Sequence, residues 1–332
     1  MRLGIFLDLR NPGQWRRPWA DHYREQLDLI VEAERLGAGS VWLTEHHLFD
    51  DGYLPQPLTF ASAVAARTST IRIGTAILLA ALRHPVHIAE EATVVDLVSG
   101  GRLEIGLGAG YVADEFDLFG ADRDRRYRVT DATYTDLRRL LDGGQPLDSD
   151  GQVLGGGQLT PPPLQRPFPL WLGYQGPRNA RRAGRLGAGL MTLNRNAYDN
   201  YVEGLAEGGH DPADARVCGA VDIVVADDPE QAWPRIVPHY LHQLNTYREA
   251  GGTGKPLTAD DLGDRHGKGG AQVNVRLSVL SVDEAIAEIG RRTAGLPAVH
   301  AYAWASIAAM PDDLTLRHLQ LLLGPVREAL GA

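Results

Sequence analysis

The chain of 332 residues carries a single cysteine, Cys218, so it can close no disulfide within itself. That fits a reducing compartment. Long apolar runs are also missing: no stretch reaches the roughly 18 consecutive apolar residues that a membrane-spanning helix needs. The first ten residues, Met1 to Arg10, place Asp8 inside their apolar run and therefore read as a strand, not a signal peptide. Positive charge is in short supply, with 33 Lys and Arg against 42 Asp and Glu, a formal charge of −9. This argues against non-specific nucleic-acid binding. A cytoplasmic protein with no membrane and no nucleic-acid partner is expected.

What the chain does have is alternation. Its length suits an α/β barrel, and 44% hydrophobic residues suffice to bury a core without metal or disulfide. Short β-branched runs predict strands at Leu3–Asp8, Ser40–Thr44, Ile71–Leu79, Arg102–Gly108, Leu170–Gly173, Gly189–Leu193, Val217–Ala226 and Val299–Ala305. Helical periodicity predicts helices at Asp21–Leu36, Pro57–Arg67, His87–Val98, Arg128–Leu141, Arg178–Leu186 and Leu314–Leu330. Eight strands with intervening helices favour a closed (β/α)₈ TIM barrel over an open sheet, as a single domain over 1–332. Two stretches break the rhythm. Asp142–Pro169 is rich in Gly and Pro and reads as a long surface connection. Glu249–Gly270 is Gly- and charge-rich, nearly without large apolar residues, and is expected to be a mobile insertion, either a lid or an insert with no role.

In such barrels the chemistry sits at the carboxyl ends of the strands. After the fifth predicted strand come Tyr174-Gln175-Gly176-Pro177-Arg178. Pro177 stands where a first helical residue would, and the amides beyond it have no helical partner, so an anion is welcome there. Arg178 and Arg181 add charge for phosphate; the alternative is an ordinary helix start with exposed arginines. After the second strand come Glu45-His46-His47. Consecutive side chains leave an extended strand in opposite directions, so one histidine is expected buried and the other exposed. The triplet lacks the i, i+4 spacing of helical zinc ligands, and no metal site is expected. Glu90 and Glu91 read as solvated or capping acids. Gly106, Gly108 and Gly110 read as close backbone approach to a ligand or a neighbouring helix.

Taken together, Trp42-x-x-Glu45-His46-His47, Gly74-Thr75-Ala76, His84-Pro85, Glu90, Asp96, Ser99-x-Gly101-Arg102, Gly106 to Tyr111, Glu115-Phe116 and Phe119-Gly120 resemble the bacterial luciferase-like flavin-dependent monooxygenases. The likeness runs ungapped through Val41–Ala121 and more loosely over most of the rest. It implies a luciferase-like barrel, often a homodimer, that binds flavin at its strand ends. By that resemblance Ala76-Ile77 holds a non-proline cis peptide under the flavin ring, and Glu90 contacts the flavin side of the pocket. Gly108 belongs to the cofactor site, His46 handles protons, and Tyr174, Gln175, Gly176 and Arg178 form the phosphate loop. Luciferases proper have a reactive cysteine and then a phosphate-binding arginine where this chain has Gly108 and Ala109. Light emission is therefore not expected, and Arg178 is expected to supply the phosphate charge. Before the last strand, many members carry a Gly-Thr/Ser-Pro turn where this chain reads Leu280-Ser281-Val282, so a rebuilt region is expected there.

The resemblance implies reduced FMN from a separate flavin reductase, and O2 that adds to the flavin as a C4a-(hydro)peroxide. One oxygen atom then passes to a small, partly apolar organic substrate. Three rivals remain open: hydride transfer with a deazaflavin on the same barrel, a flavin-binding protein without turnover, and a metal-dependent hydrolase.

Overall fold

The computed structural model describes residues 1–147, 151–153, 157–268 and 277–332. Its strands are β1 (Arg2–Leu7), β2 (Ser40–Leu43), β3 (Arg72–Thr75), β4 (Leu78–Leu79), β5 (Leu103–Gly108), β6 (Leu170–Leu172), β7 (Gly189–Met191), β8 (Val217–Ala220), β9 (Ile223–Val225), β10 (Ser278–Leu280) and β11 (Ala298–Trp304). The main sheet runs β3-β2-β1-β11-β8-β7-β6-β5-β4, and a further β3–β5 pairing closes it. With β3 and β4 counted as one interrupted strand, this is the closed parallel eight-stranded barrel with alternating helices that the sequence pattern predicts. Registers such as Phe6 opposite Trp304 and Leu107 opposite Leu172 place apolar residues side by side.

Three sequence expectations are corrected. The run Ile71–Leu79 is not one strand, because residues 76 and 77 leave the ladder between β3 and β4. Val217–Ala226 divides into β8 and β9, and β9 leaves the barrel sheet to pair in parallel with β10. The sequence pattern predicts no helices at Arg195–Glu207, Pro229–Ala250 or Val282–Thr293, yet all three are present. Pro234 and Pro238 lie inside the second, each without an N–H to give to the helix. The third follows Leu280 with a capping box: Ser281 and Glu284 exchange bonds with each other's backbone amides.

The chain forms two compact units, residues 1–42, 46–55 and 219–332, and residues 43–45 and 56–218. In the first, Val224, Ile236, Tyr240, Leu262, Val279 and Trp304 belong to one buried cluster. Leu262 is fully buried although it lies in the Gly- and charge-rich stretch Glu249–Gly270. Nearby, Asn245 exchanges bonds with the Leu257 backbone, and Arg265 binds Glu230, Glu284 and the Val279 carbonyl. Residues 269 and 270 of that stretch, like Gly155 and Gly156 of the long connection, lie outside the described residues.

In the second unit, the Ser99-x-Gly101-Arg102 motif is scaffold. The Arg102 guanidinium is buried and its five N–H groups reach Ser99 O, Thr68 Oγ1, Ile71 O, Ala65 O and Thr68 O at 2.6–3.0 Å. It thereby ties the end of helix Pro57–Arg67 to the start of β3. Asp96, fully buried on helix Pro85–Ser99, accepts from the Leu164 and Gln165 amides at 2.7 and 3.2 Å and pins the long connection.

His318, on helix Asp312–Leu321 of the first unit, supplies a pH test. The Val225 amide donates to its Nδ1 at 2.9 Å, so the proton sits on Nε2 and is donated to the Trp304 carbonyl at 2.9 Å. Burial pushes this imidazole down to about 4. The unfolded chain takes up the proton below the ordinary value of 6.5, whereas the folded chain resists until about 4. Stability from this group is therefore complete above pH 6.5 and falls away as pH drops towards 4. The loss is on the order of 3 kcal/mol. His318→Gln should flatten that part of the stability–pH curve in urea unfolding; an unchanged slope would show that another group carries it.

Candidate functional site

In the second unit, the Ala76–Ile77 peptide bond is cis, as the resemblance implies. Two glycines shape its surroundings. A Cβ on Gly108 would lie 2.3 Å from Ile77 Cδ1, and one on Gly173 would lie 2.4 Å from Ile77 Cγ2. No side chain fits at either position, so Ile77 packs directly on the backbone ends of β5 and β6. At Gly106 a Cβ would meet the Thr75 carbonyl and Met191 Sδ, both at 2.3 Å. The close approach expected of this glycine run is thus to Ile77, Met191 and the β3 backbone at Gly106 and Gly108, and at Gly110 to Phe116 of helix Ala113–Phe119, 3.2 Å from where a Cβ would stand. Thr75 Oγ1 accepts from the Gly106 amide at 3.0 Å and donates to its carbonyl at 2.9 Å, which locks β3 to β5 just before the cis bond.

Glu45, with its side chain fully buried, holds the other side of this turn. It accepts from the Leu79 amide at 2.6 Å and from Arg83 Nε at 3.2 Å. A carboxylate so bonded to a guanidinium is poorly placed to bind a metal. Among the described residues no group of three or more His, Cys, Asp or Glu could hold one. Ala76, Ile77 and Gly108 therefore come together, while Glu90 is exposed on helix Pro85–Ser99.

The segment expected to bind phosphate, Tyr174 to Arg178, forms a second cluster in this unit. Gly176, with φ +78°, caps helix Pro177–Arg185, and Pro177 occupies its first position. The first helical bond there is from the Ala180 amide to the Gly176 carbonyl, so the Arg178 and Asn179 amides have no helical acceptor. Gln175, Gly176 and Arg178 are exposed. Tyr174 is buried and donates to Asp131 at 2.6 Å. Burial first, and then that bond, push its hydroxyl far above the usual phenol range. Its ring is wall; its proton is committed.

Four arginines lie on this helix, and three are neutralised. Arg181 pairs with Glu203 and Glu207, Arg182 with Asp131, and Arg185 with Glu207. The expectation that Arg181 adds charge to the loop is corrected by its carboxylate partners. Arg178 has no such partner among the described residues. Free amides, a helix N-terminus and an unpaired guanidinium together make an anion site. The residues present fit a phosphorylated cofactor.

In the first unit, His46 and His47 are both buried, against the expectation of one in and one out. The chain has left β2 by then, so strand alternation no longer governs them. The His46 amide donates to the Leu54 carbonyl at 3.2 Å. Its ring is walled by Phe49 and Tyr53, both with centroids at 4.8 Å, and by Tyr247 at 6.0 Å. The sequence reading missed this enclosure. Its signal, an acid and an arginine just after β1 (Asp8, Arg10), was legible, but Tyr247 comes from a helix some two hundred residues away in the chain.

Comparison with known proteins follows the same lines. The model of the luciferase-like monooxygenase family matches residues 1–304. The uncharacterized protein y4wF of Sinorhizobium fredii is 32% identical over 258 residues, 75% of this chain and 74% of that protein. The oxygenase component of a flavin-dependent trigonelline monooxygenase from Acinetobacter baylyi is 26% identical over 62% of this chain and 58% of its own length. An F420-dependent glucose-6-phosphate dehydrogenase of Amycolatopsis mediterranei is 28% identical over 55% of this chain and 57% of its own length. In these last two the match spans less than two thirds of the relative. The monooxygenase RslO1 of Streptomyces bottropensis superposes with a TM-score of 0.83 over 99% of this chain and all of that one, at 24% identity, a likeness of fold.

Proposed function

This chain belongs to the luciferase-like monooxygenase family, and we propose that it is an oxidoreductase that uses reduced FMN and O2 to oxygenate a small, partly apolar organic substrate. The carrying observation is Arg178, the uncompensated guanidinium beside free amides at the start of helix Pro177–Arg185. That combination suits a phosphate group. Gln175 and Gly176 approach the same phosphate, Tyr174 backs the loop, and Ala76, Ile77 and Gly108 support the ring, with Glu90 at its side. Reduced flavin, when bound, supplies the two electrons with which O2 is activated. The chain's own residues bind, orient and exclude water. His46 holds and returns a proton at its imidazole nitrogen, and its burial keeps bulk water from that exchange.

A separate reductase delivers the reduced flavin, as the oxygenase-component relative suggests. A homodimer is supported by exposed apolar residues Val94 and Val98 on helix Pro85–Ser99 and Leu118 and Phe119 on helix Ala113–Phe119. Hydride transfer with a deazaflavin is the second reading, and the F420-dependent relative supports it.

Three outcomes are expected. Arg178→Ala should weaken FMN binding by about 10–100-fold in a fluorescence titration while leaving riboflavin binding within two-fold, because one charge-assisted bond is worth roughly 1.5–3 kcal/mol. Equal loss for both ligands sinks the phosphate assignment. His46→Asn should keep FMN affinity but abolish the pH dependence of reduced-FMN reoxidation by O2 in stopped flow. An unchanged pH profile removes His46 from the reaction, and preference of the wild type for a deazaflavin without oxygen consumption supports hydride transfer. Val94→Glu with Val98→Glu should halve the mass measured by light scattering; a wild type already monomeric overturns the homodimer.

A further inference from the structure

The first unit buries a cation for which the proposed function has no use. Arg10 follows β1 with its side chain wholly buried. Its Nε donates to Asp8 at 3.1 Å, and its Nη1 donates to Asp51 and to Thr246 Oγ1, both at 2.6 Å. Nη2 is buried without a hydrogen-bond partner among the described residues. Aromatic faces supply the rest. The guanidinium carbon lies 4.6 Å from the Tyr53 ring centroid, 4.7 Å from Tyr247 and 5.5 Å from Phe49. These are the three rings that enclose His46. The hydroxyls of Tyr53 and Tyr247 meet at 3.0 Å. Imidazole and guanidinium therefore share one aromatic box.

The backbone is strained to build it. Leu9, between Asp8 and Arg10, and Leu48, between His47 and Phe49, both have φ +57°. Each left-handed non-glycine residue costs roughly 1–3 kcal/mol and persists where its surroundings over-determine it. On the solvent side, His242 Nε2 bonds Asp51 Oδ2 at 2.8 Å, with the imidazole partly exposed.

We propose that Arg10 is the positioning residue of His46: it fixes the rings that hold the imidazole, and its balance with Asp8 and Asp51 sets how readily His46 takes a proton. This rests on the reading of His46 as the proton-handling group. The guanidinium is permanently charged and opposes a second cation across the shared rings. The two carboxylates relieve that opposition. Burial pushes the Asp51 carboxyl up, but bonds from His242 and Arg10 outweigh it and hold it below its usual value. Burial dominates at Asp8 and raises it, Arg10 opposing in part. Among the described residues, the titratable and charged groups facing the box are Asp8 and Arg10 after β1, with His22 of helix Trp19–Arg35 on the Leu9 carbonyl between them, Asp51 and Tyr53 on the loop after β2, and His242 and Tyr247 on helix Pro229–Ala250. Glu45 and His47 flank His46 in the chain.

The test is NMR titration of the His46 imidazole in the flavin-free full-length protein. Asp51→Asn and Asp8→Asn each leave Arg10 less compensated and should lower the titration midpoint by roughly half a unit to one unit. Arg10→Gln removes the cation and should raise it by a similar amount. Circular dichroism selects the folded variants, and the two near-isosteric asparagine changes keep the test available if Arg10→Gln does not fold. Midpoints that stay within about 0.2 unit in the folded variants, or that move up in the asparagine variants, overturn the proposal. Because no flavin is present, the result stands apart from the functional reading, which fails instead if His46→Asn reoxidises reduced FMN with the wild-type pH profile.

Discussion

A guanidinium cannot be taken out of water unless every donor is met or its charge is answered, because the uncompensated desolvation of such an ion far exceeds the net stability of a domain. Among the described residues each unit buries one guanidinium, and the two are answered in different ways. Arg102 uses neutral oxygens: four carbonyls and the Thr68 hydroxyl. That solution is rigid, insensitive to pH, and ties helix Pro57–Arg67 to the strand whose far end carries the cis peptide. Arg10 uses two carboxylates, a threonine hydroxyl and three ring faces. That solution keeps titratable groups around the cation, and His46 lies against the same rings.

The second unit rests on a second constraint, the absence of side chains. Gly108 and Gly173 leave Ile77 the only space beside them, and Gly106 admits the Thr75 carbonyl. On helix Pro177–Arg185 most of the positive charge is answered by carboxylates. Three arginines of helix Pro177–Arg185 are held by carboxylates, and Asp131 joins Arg182 to the Tyr174 hydroxyl. Arg178 stands out by contrast: the helix start is electropositive because its neighbours have been neutralised and it has not.

The sequence by itself determined the barrel and much of the local structure of the second unit. Strand–helix alternation, the glycines in and just after β5 and the Gly-Pro-Arg helix start are local signals, readable because backbone geometry and helix termini impose them over a few residues. Local reading failed where long-range contact overrode local preference. The long helix Pro229–Ala250, with two prolines inside it, went unread, Val217–Ala226 divides between two sheets, and Arg181 is silenced by acids more than twenty residues on. Only the tertiary structure decided that both histidines are buried, that Glu45 is bound to Arg83, and that Arg10, Phe49, Tyr53 and Tyr247 enclose His46. Those arrangements join segments far apart in the chain, and no periodicity records which charges will meet once the backbone has closed.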